Sequence, residues 1–158
     1  MTAKLISLVA AALLVAADQG IKAWATAQLM PVGVMAVLPG IVELRYVLND
    51  GMAFSMLAGK QGILIGVTSL MLIGVLVWLL RGDMPLLERI SWTLVLGGGI
   101  GNLIDRCFRS LRVVDWISTD MYGFLGFDRF PTYNIADAAV TVSVCLLIVS
   151  YIIGEKKK

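Results

Sequence analysis

The chain has no histidine, which excludes most hydrolytic machinery at once: no Ser-His or Cys-His relay, and no HExxH zinc site. Bond-breaking chemistry must then rest on carboxylates or on a rarer Ser-Lys arrangement. Charge is scarce too. Asp, Glu, Lys and Arg supply 15% of 158 residues against 59% hydrophobic, too few to clothe a soluble core of this size. The net charge of +2 is weak, and Lys156, Lys157 and Lys158 supply more than all of it, which suits anionic headgroups rather than nucleic acid. No nucleic-acid role is assigned. The two cysteines, Cys107 and Cys145, lie far apart without CxxC spacing, so neither a zinc site nor a redox motif is indicated and both read as packing residues. Repeats, low-complexity tracts and linkers are missing as well, so a single integral membrane domain over residues 1–158 is expected.

What is present is a series of apolar stretches. Gln61 to Leu80 is uncharged and, at about 1.5 Å per residue, matches a bilayer core of roughly 30 Å. Three further spans are expected near residues 4–29, 88–107 and 133–154, giving an all-α membrane protein of four transmembrane helices. Lys4 followed by Leu5 to Ala17 imitates a cleavable signal peptide. Asp18 and Lys22 interrupt it where such a segment would end, so a retained first span is expected. Four crossings put Lys4, Arg81, Arg89 and the lysine tail together on the cytoplasmic side, with both termini inside. Arg45, Lys60, Arg106, Arg109, Arg112 and Arg129 depart from that rule, interspersed with acids.

Between the first two spans, IVELRYVL alternates charged and apolar residues, the pattern of a half-buried strand on the membrane surface. It predicts a small extracytoplasmic β-rich segment. Residues 116–133 gather Trp116, Tyr122, Phe124, Phe127, Phe130 and Tyr133, and such rings favour the headgroup layer. An aromatic loop lying on lipid over the site is expected.

Asp115 and Asp137 close two compact motifs, VVDWI and YNIAD. Along a helix, Lys4 to Asp18, Arg89 to Asp105 and Asp137 to Gly154 span roughly 21, 24 and 26 Å. Three distant carboxylates thus reach a common depth, where ionisable groups must face inward and toward one another. Asp115, in the loop leaving the third span, can join them. Asp18 and Lys22 are four apart, and a structural ion pair competes with a site role. Asn102 and Asp105 are three apart, as are Asn134 and Asp137, and helix capping competes for the second pair. Asp105 with Arg106 reads as a loop brace. Gly97, Gly98, Gly99 and Gly101 read as a packing face with small-xxx-small spacing. In NDGMAFSM, Asn49 and Gly51 suggest a turn and Phe54 an apolar plug.

Five stretches, ADQGIK, NDGMAF, GNLIDR, VVDWI and YNIAD, arranged over four spans, resemble the bacterial lipoprotein signal peptidases, also called signal peptidase II. The resemblance implies a catalytic dyad of Asp115 and Asp137, with Asp18, Lys22, Asn49, Gly51, Asn102, Asp105, Arg106 and Asn134 in positioning and support. It implies an aspartic endopeptidase cleaving a diacylglyceryl-modified prolipoprotein before its lipidated cysteine, in the outer part of the bacterial cytoplasmic (inner) membrane. Partners are then the lipid-modified prolipoprotein and membrane lipids, with a monomer as the expected state. No metal or organic cofactor is implied. Met52 stands where the family usually has a small residue, Trp116 replaces a commoner Phe, and the connection from Asp115 to Asp137 is longer than usual. On the residues alone, a small transporter or channel and a noncatalytic assembly subunit remain as alternatives.

Overall fold

In a computed structural model, which describes residues 2–51, 60–109, 111–123, 126 and 128–155, the apolar stretches are helical. They form α1 (Thr2–Val32), α2 (Gln61–Arg81), α3 (Leu86–Phe108) and α4 (Ile135–Glu155). Among the described residues α1, α2 and α4 are long and apolar enough to cross a membrane. α3 differs. Its four glycines, Asn102 and its terminal charges dilute it, and it is the helix on which the other three pack.

Successive residues on a helix point about 100° apart, so the consecutive glycines of α3 can serve different neighbours. A Cβ at Gly97 would lie 2.8 Å from a Leu14 methyl of α1, at Gly98 2.6 Å from the Ala136 carbonyl oxygen of α4, and at Gly99 2.5 Å from a Leu72 methyl of α2. Gly101 returns to α1, where a Cβ would meet Asp18 Oδ2 at 2.6 Å. The small-xxx-small pair Gly97 and Gly101 therefore fits α1, while α4 and α2 each take a glycine between. Gly98→Ala should be the costliest of the helix-facing alanine substitutions at Gly97 to Gly99, because its neighbour is fixed backbone; overpacking of this kind costs about 1–3 kcal/mol. Thermal unfolding in detergent should show a clear loss for Gly98→Ala and a smaller one for Gly99→Ala, whose leucine neighbour can rotate. Equal midpoints for the two variants would contradict this packing.

Three strands form one antiparallel sheet in the order β1 (Val34–Leu38), β2 (Val42–Asn49), β3 (Val113–Thr119). β2 is the strand expected from IVELRYVL, although it is half-buried along nearly its whole length rather than alternately. The sequence pattern does not single out β1 and β3 as strands. Asp115 stands on β3, opposite Val47 of β2, and not in a loop. The segment 116–133 is likewise less of a loop than its rings suggest: Trp116 to Thr119 belong to β3, Tyr133 bridges Ile117, and Arg129 bridges Asp120. Phe124 and Phe127 of the expected aromatic cover, and Met52 and Phe54 of the first loop, lie outside the described residues.

Two apolar clusters hold these parts. Ala11, Leu72, Val75, Leu79 and Leu96 join α1, α2 and α3. Ala25 and Leu29 of α1 bury Val114 of β3, flanked by Leu44, Tyr46 and Trp116, and this second cluster seats the sheet on the end of α1. Trp24 and Trp116 meet edge to face across the same seam, with ring centroids 6.5 Å apart. Val114 is thereby anchored, and it fixes the height of Asp115 beside α3 and α4.

Candidate active site

Lys22 sets the polar interior. Its side chain is fully buried, and its ammonium lies 2.8 Å from Asp18 Oδ2, 3.0 Å from Asp105 Oδ2 and 2.9 Å from Asn102 Oδ1. An ammonium has three donors and no acceptor, so all three are used. The ion pair expected within α1 is real, and it extends to α3.

The two carboxylates also tie other elements in. Asp18 Oδ1 accepts from the Ala136 N–H in the first turn of α4 at 3.3 Å, and Asp105 Oδ2 accepts from the Val114 N–H of β3 at 3.1 Å. The first is an N–H that a helix start leaves without an intrahelical partner, and the second belongs to β3, an edge strand of the sheet. Gln19, a neutral residue inside ADQGIK, joins the same network. Its Nε2 lies 3.0 Å from both Asp105 Oδ1 and the Gly101 carbonyl. Arg109, read only as a loop charge, approaches Asp105 Oδ1 at 3.3 Å. An amide directly after Asp18 in an otherwise apolar helix is the available signal for Gln19.

Because Lys22 can only donate, Asn102 must turn its oxygen toward it and its amide nitrogen the other way. That nitrogen donates to Asp137 Oδ1 at 2.7 Å. Asn134 is fixed by the same logic. Its Oδ1 accepts from the Asp137 N–H at 2.9 Å while its own N–H donates to Asp137 Oδ2 at 3.1 Å, a reciprocal capping box at the start of α4. The cap leaves Nδ2 free to donate to Asp115 Oδ1 at 2.7 Å. Capping and site geometry are therefore one arrangement, not competing ones.

The first loop completes the set. Asn49 Oδ1 accepts from the Gly51 N–H at 2.8 Å, the expected turn, which orients Nδ2 toward Asp115 Oδ2 at 2.9 Å. Arg106 donates to the Gly51 carbonyl at 2.8 Å and so braces that turn. All ten residues singled out in the sequence fall in one network. Asp115 and Asp137 are bridged by Asn134, and each of their four oxygens accepts a hydrogen bond.

The pair is not symmetric. Asp115 is 1% exposed, whereas Asp137 keeps part of its surface open. Burial and then the charge of Asp137 push the Asp115 carboxyl up to about 7, against the opposing bonds from Asn49 and Asn134 and the charge of Lys22. The neighbouring charge thus favours the protonated form of Asp115. Among the described residues no three His, Cys, Asp or Glu side chains gather closely enough to hold a metal ion.

The solved structures similar to this chain include two bacterial membrane enzymes. A bacterial membrane enzyme determined by the in meso method at 2.3 Å superposes with a TM-score of 0.85 and 30% identity, over 97% of this chain and 91% of the other. A second bacterial membrane enzyme, determined at 1.9 Å, gives 0.77 and 30% over 92% of each chain. The family model of signal peptidase (SPase) II matches residues 10–153, and the chain belongs to that family. Similar relatives include the lipoprotein signal peptidases of Symbiobacterium thermophilum, 36% identical over 97% of this chain and 98% of the relative, and of Latilactobacillus sakei, 37% identical over 91% of each. That of Chlorobium phaeovibrioides is 39% identical over 74% and 72%.

Proposed function

We propose that this protein is an intramembrane aspartic endopeptidase that removes the signal peptide from diacylglyceryl-modified prolipoproteins, cutting before the lipidated cysteine. Family membership supports the substrate class. The bridge of Asn134 across Asp115 and Asp137 is the observation that carries the chemistry. Asp115, buried and raised, enters as the protonated member, and Asp137, more open, as the carboxylate.

Asp137 takes a proton from water as its oxygen attacks the scissile carbonyl carbon. The proton on Asp115 hydrogen-bonds the developing oxyanion, then moves to the leaving amide nitrogen as the C–N bond breaks. The pair ends with one proton, as it began. Asn49, Asn102 and Asn134 hold the carboxyls in register, and the buried triad of Asp18, Lys22 and Asp105 holds Asn102. We read the chain as a single domain of four crossings in the cytoplasmic membrane, with α3 as the shielded third, both termini inside and the site toward the outer face. Charge distribution and the common depth of the acids support that orientation.

Cleavage of a synthetic lipopeptide by the purified protein in detergent, without any ion gradient, tests the reading. A protein that leaves the peptide intact would refute it and reopen transport. The sign of the pH dependence follows from the raised carboxyl. Asp115 is neutral below about 7 and loses its proton as pH rises through that value, so the oxyanion donor disappears. Across about pH 5 to 9 the turnover rate should fall as pH rises through about 7, where Asp115 loses its proton. A rate that climbs through neutrality would contradict the protonated role of Asp115.

A further inference from the structure

On α3, Glu88, Val95 and Asn102 stand seven apart and Arg106 follows four further on. A heptad spacing drifts by only about 20° on a straight helix, so one strip runs from Glu88 to the site. Gly98 faces α4 and Gly99 faces α2. At about 100° per residue, Glu88 falls between those directions, close to that of Gly99. α2 and α4 both pack on α3 and make no comparable contact with each other, and midway along the strip Val95 packs on the cluster that joins α1, α2 and α3 yet keeps part of its surface exposed.

At the end of the strip remote from the site is a cavity of about 220 Å³, lined by Pro85, Leu87 and Glu88 at the start of α3 and by Ser150, Ile153 and Gly154 at the end of α4. Glu88 is its sole charged lining residue. Half-buried, it makes no ion pair among the described residues. Its neighbour Arg89 is directed to the carbonyls of Leu79 and Gly82 at the end of α2. Glu88 stands in the first turn of α3, where the helix dipole favours an acid, and with no counter-charge beside it the carboxylate remains available to a cation.

The spacing identifies that cation. Fourteen residues of helix, about 21 Å, separate Glu88 from Asn102. A signal peptide carries a basic n-region followed by about 7–15 apolar residues ahead of the cleavage site. With the scissile bond at the aspartate pair and the apolar segment helical along the strip, the n-region arrives at the Glu88 cavity. Resting on the endopeptidase reading above, we infer that Glu88 and this cavity form a subsite for the lysine or arginine side chains of the substrate's n-region.

The test uses the purified protein and two lipopeptides identical except for the n-region, one with two lysines and one with two glutamates. In Glu88→Lys, KM should rise about fivefold for the lysine peptide and fall for the glutamate peptide, the exchange expected of a partly exposed charge pair. Glu88→Gln should lie between, with kcat for the lysine peptide little altered in both variants. KM values that do not move, or that move in the same direction for both peptides, would overturn the subsite; a membrane-lipid amine or the chain's own lysine tail as the occupant of Glu88 would give that result. Failure of the unaltered protein to cleave either peptide would instead sink the endopeptidase reading itself.

Discussion

Asp115→Asn and Asp137→Asn are each expected to lower kcat for lipopeptide cleavage by about a thousandfold or more, with KM retained and the protein folded. Asparagine keeps the size and one acceptor oxygen of aspartate but cannot exchange a proton. At position 115 it still accepts from either Asn49 or Asn134, and at 137 from either Asn102 or the Asn134 N–H. One of the two donors at each position then faces an NH2 group, a loss of about 1–3 kcal/mol, which a folded membrane protein tolerates. Circular dichroism and size-exclusion profiles like those of the parent would exclude unfolding as the cause. Activity within about tenfold of the parent in either variant would remove that residue from the chemistry.

Lys22→Met should have the largest effect on stability. The change removes a fully buried cation and leaves Asp18 and Asp105, both buried, facing one another without it. Breaking a buried pair by deleting one partner costs about 3–5 kcal/mol, equivalent to a fall of about 10 °C or more in Tm for a chain of this size. Removing the stranded charges as well separates electrostatics from packing. The triple variant Lys22→Met, Asp18→Asn, Asp105→Asn should melt above Lys22→Met alone. A single variant as stable as the parent would mean that the triad does not hold the helices together. Activity should fall in both, because Asn102 loses the donor that fixes its amide toward Asp137.

The polar centre was legible in the sequence because ionisable and amide side chains inside hydrocarbon-length segments have no inexpensive explanation except one another. Helix rise alone brought Asp18 and Asp105 to one depth, and the i,i+4 and i,i+3 spacings placed Lys22, Asn102 and Asn134 on the right faces. The strands were less legible. VVDWIST has strand-forming residues, but its partner β2 lies more than sixty residues upstream, and pairing at that separation leaves no local periodicity to read. β1 is exposed along its whole length, so it carries no alternation either. The glycines of α3 were recognised as packing residues, yet a single helix cannot reveal which neighbour each one admits. Gln19 escaped because a neutral amide declares no charge to be compensated. For Asn134 and Asp137 cap and site are not alternatives, since the cap consumes Oδ1 and the two backbone N–H groups and leaves Nδ2 for Asp115.

Comparison of the two single asparagine variants with the double variant is the most direct measure of whether the acids act as one unit. In single-turnover cleavage assays, Asp115→Asn, Asp137→Asn and the double variant should fall to the same residual rate, because either loss alone disables the shared-proton pair. A double variant slower than both singles, with its loss equal to the product of theirs, would mean that the two carboxyls contribute independently.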